Sequence, residues 1–189
     1  MKRIVLTKRD GEIIKFLKEY KCAKTSTLAQ IFFNNSKRVT TRRLKLLRDH
    51  NLINSSQEFV CLEQIHYLNK KPKQIKHTII ETNFISKLYE HNIEILKLKK
   101  EFKIGFVRSD LLLVCKINDK SFIFFIEVCN TKPFDVNKYL KLKDSDLWRE
   151  YFPIFPYIIV ISDRKIEYDK RLDIINMNLD LSNFNKIKD

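Results

Sequence analysis

Residues 36–50 run Ser36-Lys37-Arg38-Val39-Thr40-Thr41-Arg42-Arg43-Leu44-Lys45-Leu46-Leu47-Arg48-Asp49-His50. On a helical wheel Val39, Leu44, Leu46 and Leu47 gather on one side, with Thr40 among them. Lys37, Arg38, Thr41, Lys45 and Arg48 fall on the other, with Arg42 at its edge. Arg43 lies nearer the apolar side, where its stem is expected to pack while its head reaches water. Asp49 is the only acid between Glu19 and Glu58, so the cationic face lacks Glu partners. A solvated surface helix is the simpler alternative. A hydrophobic back with an almost purely cationic front nevertheless suits a groove of duplex DNA. There Arg and Lys reach base edges, while the remaining cations and Thr hydroxyls hold phosphates.

The flanking residues supply a scaffold for such a helix. Upstream, Thr7 is a plausible N-cap with Asp10 three residues on. Ile13, Ile14, Phe16, Leu17 and Tyr20 then recur at helical spacing. Lys21 to Lys24 break the pattern, and Thr25-Ser26-Thr27 are expected to cap a short second helix carrying Leu28, Ile31, Phe32 and Phe33. Asn34-Asn35-Ser36 is a turn cluster before the cationic helix. Downstream, Leu52-Ile53-Asn54 and Gln57 to Leu62 look like two short strands around Ser55-Ser56. Three helices and a hairpin within residues 1–69 predict a winged helix-turn-helix domain. Ser55, Ser56 and Gln57 at the tip of the wing could touch a phosphate or the minor groove, although the tip lacks an Arg or Lys.

Charge placement agrees with that reading. The chain of 189 residues carries 37 Lys/Arg and 23 Asp/Glu, a formal charge of +14. Residues 1–75 hold 17 basic and 6 acidic residues, and residues 76–189 hold 20 and 17. Such asymmetry points to an anion-binding module joined to a nearly neutral one. With 44% hydrophobic residues a buried core is well supplied. No run approaches the roughly 18 to 20 apolar residues of a membrane helix, and the N-terminus has no signal-peptide core. Cys22, Cys61, Cys115 and Cys129 form no CxxC pair, so reduced thiols in a cytoplasmic protein are expected. Two glycines alone, Gly11 and Gly105, exclude the Gly-rich phosphate loops of nucleotide hydrolases and dinucleotide enzymes.

Lys70-Lys71-Pro72-Lys73 lies in a basic link, residues 70–75, ahead of a second domain over 76–189. A helix from His77 to about His91 precedes extended stretches at Ile93–Leu98, Val107–Ile117 and Ser121–Cys129, the last two joined by an Asn118-Asp119 turn. Phe134 to Phe152 has helical spacing, and Tyr157–Ile161 is a fully apolar strand. The whole chain is thus expected to be α+β, a winged helix followed by a small α/β domain. Asp110 and Glu127 mark the ends of adjacent apolar strands and could converge on a hard cation such as Mg²⁺. This element order is that of the restriction-endonuclease-like core, in which Asp, Glu and a Lys two residues later bind metal and activate water. Here Glu127-Val128-Cys129 lacks that Lys. Lys132 or Lys138 could substitute, and Glu81 could add a ligand; otherwise Asp110 and Glu127 are strand-end acids paired with Lys or Arg. Neither a resident metal nor a cofactor is expected, and Mg²⁺ enters only if the domain is a nuclease. The four histidines are too scattered for a metal cluster, and Trp148, Tyr151, Phe152, Phe155 and Tyr157 suit a core or an oligomer face.

Several of these segments resemble the replication-relaxation family of plasmids, phages and integrative elements of Gram-positive bacteria. They are Leu6–Asp10, Glu12–Leu17, Thr27–Phe33, Thr41–Leu47 and Asn51–Ile53, with Ser109-Asp110 and Phe124–Val128 in the second half. The likeness spans about residues 6–150, and Cys129 stands where that family usually carries an acid. The resemblance implies a DNA-binding accessory protein for replication or conjugative transfer of a mobile element, with a degenerate nuclease-like domain. A homodimer contacting a relaxase or replication protein is expected. The alternatives are a metal-dependent nuclease and a repressor of its own operon.

Overall fold

In the computed structural model, which describes residues 4–57 and 62–188, the protein is α+β with five α-helices and two sheets. It divides into two compact units, Met1–His91 and Asn92–Asp189. The link at 70–75, expected as the boundary, is not where they part.

The N-terminal unit starts with α1 (Lys8–Tyr20), whose Thr7 cap works as anticipated. Thr7 Oγ1 accepts from the Asp10 amide at 3.3 Å, and the Asp10 carboxylate accepts from the Thr7 amide at 2.6 Å. This capping box satisfies two amides that the first turn leaves without helical partners. Its apolar face buries Ile13, Phe16, Leu17 and Tyr20. Lys21 to Lys24, expected to be a mere break, instead yield a short strand, β1 (Cys22–Lys24). In α2 (Thr25–Phe32) the expected Thr/Ser cap is absent. Lys24 stands at the N-cap, and Glu63 supplies the missing acceptor, taking the Ser26 amide and, at 2.8 Å, the Ser26 hydroxyl.

After α3 (Lys37–Asp49) the hairpin register differs from expectation. β2 is Asn54–Ser56 and β3 is Ile65–Tyr67, both antiparallel, in a sheet ordered β1-β3-β2. Ser55 and Ser56 are therefore strand residues opposite His66 and Ile65, and not a turn. The second expected arm lies partly in residues 58–61, outside the described residues. β1 explains the shift, since β3 must pair on both edges and holds Cys22 opposite Tyr67.

The last helix of this unit, α4 (Ile75–Glu90), explains the displaced boundary. Ile79 packs with Cys22 and Ile65, and the Thr27 hydroxyl donates to Asn83 at 2.9 Å. A basic, Pro-containing segment thus connects two parts of one unit. Moving the boundary leaves the charge split intact, since residues 1–91 hold 19 Lys/Arg against 8 Asp/Glu.

The C-terminal unit is one five-stranded sheet in the order β4-β5-β6-β7-β8. β4 (Glu94–Ile104), β5 (Val107–Ile117) and β6 (Lys120–Val128) are antiparallel, and β7 (Tyr157–Ile161) and β8 (Ile174–Met177) add in parallel. Asn118 and Asp119, at φ 50° and 63°, make the anticipated β5–β6 turn with both central residues left-handed. At the β4–β5 turn Gly105 has φ +50°, and a Cβ there would stand 2.9 Å from Leu147, so a side chain is excluded twice over.

The helix expected over 134–152 ends early: α5 is Val136–Asp144. Ser145 donates its hydroxyl to Leu142 O at 2.8 Å, and Asp146 turns left-handed at φ 56°. A 3-10 turn at Leu147–Glu150 follows and seats Trp148 in the core. Phe102, Leu112, Phe125, Tyr139, Phe152 and Ile158 share that core. Trp148 and Phe152 are thus interior residues, whereas Tyr151 is exposed.

Candidate functional site

Helix α3 presents its front much as its sequence suggests. Lys37, Arg38, Thr41, Arg42 and Lys45 are exposed. Among the described residues none of Lys37, Arg38, Arg42 and Lys45 makes an ion pair. Thr40, Leu44 and Leu47 form the buried back, and the Thr40 hydroxyl donates to Ser36 O at 2.8 Å.

Two arginines behave otherwise. Arg43, expected to send its head into water, grips the buried Asp10 on α1: Nε donates to Oδ1 at 2.8 Å and Nη2 to Oδ2. Nη2 also donates to Val5 O at 2.9 Å. Burial alone would raise the Asp10 pKa, but the Arg43 guanidinium and the Thr7 donors overcome it and hold the carboxyl near about 2. Arg48, expected on the DNA-facing side, donates to Ser55 Oγ at 2.9 Å and to Gln64 Oε1 at 3.3 Å. It ties α3 to the sheet. Ser55 is engaged by that contact, the Ser56 hydroxyl is buried, and Gln57 donates to Leu62 O. Ser55 and Ser56 thus do not form an open wing tip, while Gln57 is exposed and borders residues 58–61, which lie outside the described residues.

Val39 and Leu46, assigned to the core by the wheel, are 51% and 36% exposed. The wheel erred because Arg43, lying between them and the buried side, takes the space against α1. They line an open groove of about 430 Å³ between α3 and the start of α1, together with Arg9, Phe33, Arg42 and Lys45. The Arg9 guanidinium lies over the Phe33 ring at 4.8 Å.

Behind α3, His66 is fully buried, with Nε2 2.9 Å from Thr25 Oγ1 and Nδ1 without a partner among the described residues. Burial, reinforced by the Arg48 charge, pushes its pKa down to about 4.

The C-terminal unit carries a different cluster. Asp110 on β5 accepts from the Val128 amide at 2.7 Å. Glu127 on β6 accepts from Lys138 Nζ at 2.7 Å and from the Tyr139 hydroxyl, both on α5. Burial and the Asp110 charge raise the Glu127 pKa, against the opposing pull of Lys138 and Tyr139. Burial and Glu127 push the Tyr139 phenol well up. Of the two lysines considered for this site, Lys138 reaches it; Lys132 is exposed and makes no ion pair among the described residues. A lysine two residues after the Glu could not be read there, but Lys138 arrives from the following helix, three residues beyond its Asp135 N-cap. Tyr139 was missed, because an apolar-side tyrosine looks like plain core. Glu81 belongs to the N-terminal unit, where its carboxylate lies 3.4 Å from His77 Nε2. Cys129 is a buried thiol whose pKa burial raises to about 11, so it adds no charge. Cys22 and Cys115 are buried as well.

Among the described residues no helix is long and apolar enough to cross a membrane. No family model, curated protein or solved structure matches the chain.

Proposed function

We propose that the N-terminal unit is a winged helix-turn-helix that binds double-stranded DNA through Lys37, Arg38, Thr41, Arg42 and Lys45. The observation that carries this is the front of α3, where four cations stand exposed without ion-pair partners among the described residues. Unpaired cations on one rigid helix are cheap to keep in water and ready to displace the counterions of a phosphate backbone. The order helix, strand, helix, helix, strand, strand around α3 supports the winged-helix assignment. Arg48 and Ser55 drop out of the contact set because they bond each other, and Ser56 because its hydroxyl is buried.

The biological setting we infer is a mobile genetic element. The protein would act as an accessory factor at an origin of replication or transfer, or at an operator. As a homodimer it would bind half-sites about one helical turn apart, with the C-terminal unit as dimerisation or partner-binding module for a relaxase or replication protein. Titration of duplex DNA with the Arg38→Ala/Arg42→Ala variant tests the interface. Affinity should fall, and the salt slope should drop by about 0.9 for each of the two arginines that contacts a phosphate. Unchanged affinity and slope would remove α3 from the interface. Footprinting on the native replicon separates an origin from an operator.

One observation favours a second reading, a metal-dependent nuclease. Lys138 brings an ammonium to Glu127, one residue beyond the last β5–β6 pair, Leu111 opposite Ile126, and so supplies the charge that Cys129 cannot. Asp110 and Glu127 would hold Mg²⁺, and Lys138 would orient the attacking water. Incubation with supercoiled plasmid and Mg²⁺ or Mn²⁺ decides it. Cleavage lost in Asp110→Ala and in Lys138→Ala would establish this reading, and intact plasmid would discard it.

A further inference from the structure

Val39 occupies the third position of α3, directly after Arg38 and one turn before Arg42. Val39 is 51% exposed, so about half of its surface is left open to a partner. A β-branched residue in a helix is held in one strongly preferred rotamer, so its two methyl groups are presented rigidly. Leu46 lies on the same flank, but seven residues along the axis, about 10 Å away at 1.5 Å per residue. The two cannot serve one base step, and only Val39 falls in the first turn, the part of a groove-reading helix that meets base edges.

The charges around Val39 define what can cover it. Arg9, Arg42 and Lys45 line the groove beside it against one exposed acid, Asp49, while Asp10 is neutralised by Arg43, so the rim is cationic on balance, and Phe33 contributes an apolar wall. A cationic rim repels a basic partner and fits an anionic frame with an apolar group inside. In the major groove thymine alone offers such a group, its 5-methyl, set between two phosphate strands.

We infer that Val39 is a specificity-determining residue that packs against the 5-methyl group of a thymine in the major groove. This rests on the DNA-binding reading above. Arg42, three residues on and on the adjoining face, reads or anchors the neighbouring step. The preferred site therefore contains a thymine at one fixed position of each half-site, insensitive to salt, within a binding energy otherwise dominated by phosphate contacts.

The test uses the full chain and a duplex selected by it from a random pool. Each thymine of the selected duplex is replaced in turn by deoxyuridine, which removes the methyl and nothing else. At one position per half-site the wild type should lose about fourfold in affinity, the value of one buried methyl-sized group. Val39→Ala should bind thymine and uracil duplexes equally, and Val39→Thr, which exchanges one methyl for a hydroxyl, should fall between. Circular dichroism checks that both variants keep their helices. A wild type indifferent to every methyl, or a methyl effect undiminished in Val39→Ala, overturns the Val39 assignment and leaves DNA binding standing. Failure to enrich any duplex overturns both.

Discussion

Arg42 on α3 and Lys138 on α5 are helix-borne cations in their respective units, and they are handled in opposite ways. Arg42 stands in water with no ion pair among the described residues, and so do Lys37, Arg38 and Lys45. Lys138 is drawn onto a mostly buried carboxylate and shares it with a buried tyrosine. The first arrangement stores nothing within the fold, so its electrostatics remain available to a partner. The second is internally satisfied, and disturbing it is felt first as stability. Arg43 stands beside Arg42 in sequence yet belongs with Lys138, because the buried Asp10 claims it. The division between binding charge and structural charge thus runs through one helix, between consecutive residues.

The largest expected effect attacks that division at Arg43. Arg43→Ala leaves the Asp10 carboxylate buried without its counter-ion, which costs about 3–5 kcal/mol when one partner of a buried pair is removed. Hydrogen exchange of the N-terminal unit should record that loss. Trp148, the single tryptophan, lies in the other unit, so its fluorescence transition should be unmoved under the same conditions. A loss below about 0.5 kcal/mol, the range of ordinary surface substitutions, would place Arg43 with the binding charges.

Acidification should affect the N-terminal unit next. His66 has a folded pKa of about 4 against an ordinary 6.5, so the unfolded chain binds its proton first. Stability is complete above about 6.5 and declines as pH falls towards 4, by at most about 3–4 kcal/mol at 1.36 kcal/mol per pKa unit. His66→Gln should flatten this slope between those limits. Glu127 has the opposite sign, since its pKa is raised in the fold. In Lys138→Ala the carboxylate loses a charged hydrogen bond worth roughly 2 kcal/mol. Trp148 fluorescence should then show the C-terminal unit weakened at neutral pH and partly recovering as acid protonates Glu127. A deficit that acid does not relieve would mean that Lys138 contributes packing rather than charge.

Much of this was legible in the residues, and the failures have physical causes. The capping box at Thr7 and Asp10, the buried Leu44 and Leu47, and the left-handed Asn118-Asp119 turn are local features, set by residues within a few positions of one another. β1 was invisible because three residues, Cys22 to Lys24, become a strand only through pairing with a partner about 40 positions away. The boundary at 70–75 failed for a similar reason, since a Pro- and Lys-rich composition marks a solvated segment and not whether the next helix folds back. The wheel put Val39 in the core because amphipathicity assigns sides by hydrophobicity, and could not know that Arg43 has a buried acid to meet. Lys138 was readable as a candidate, but its choice over Lys132 depended on where α5 begins.

The smallest expected effect on stability, and the one that isolates the binding charges, belongs to Arg42→Ala. An exposed arginine without a partner contributes less than about 0.5 kcal/mol to the fold, so hydrogen exchange and Trp148 fluorescence should both match the wild type. Affinity for duplex DNA should nevertheless fall about 10- to 100-fold if Arg42 reaches a base edge, where such a contact is worth about 1–3 kcal/mol. A uniform loss over all sequences, with a salt slope smaller by about one, would make it a phosphate contact instead. The pair Arg42→Ala and Arg43→Ala then forms a reciprocal test on adjacent residues, one losing binding with stability intact and the other losing stability first. Equal stability losses in the two would erase the distinction between the front and flank of α3, and with it the reason for assigning DNA to this helix.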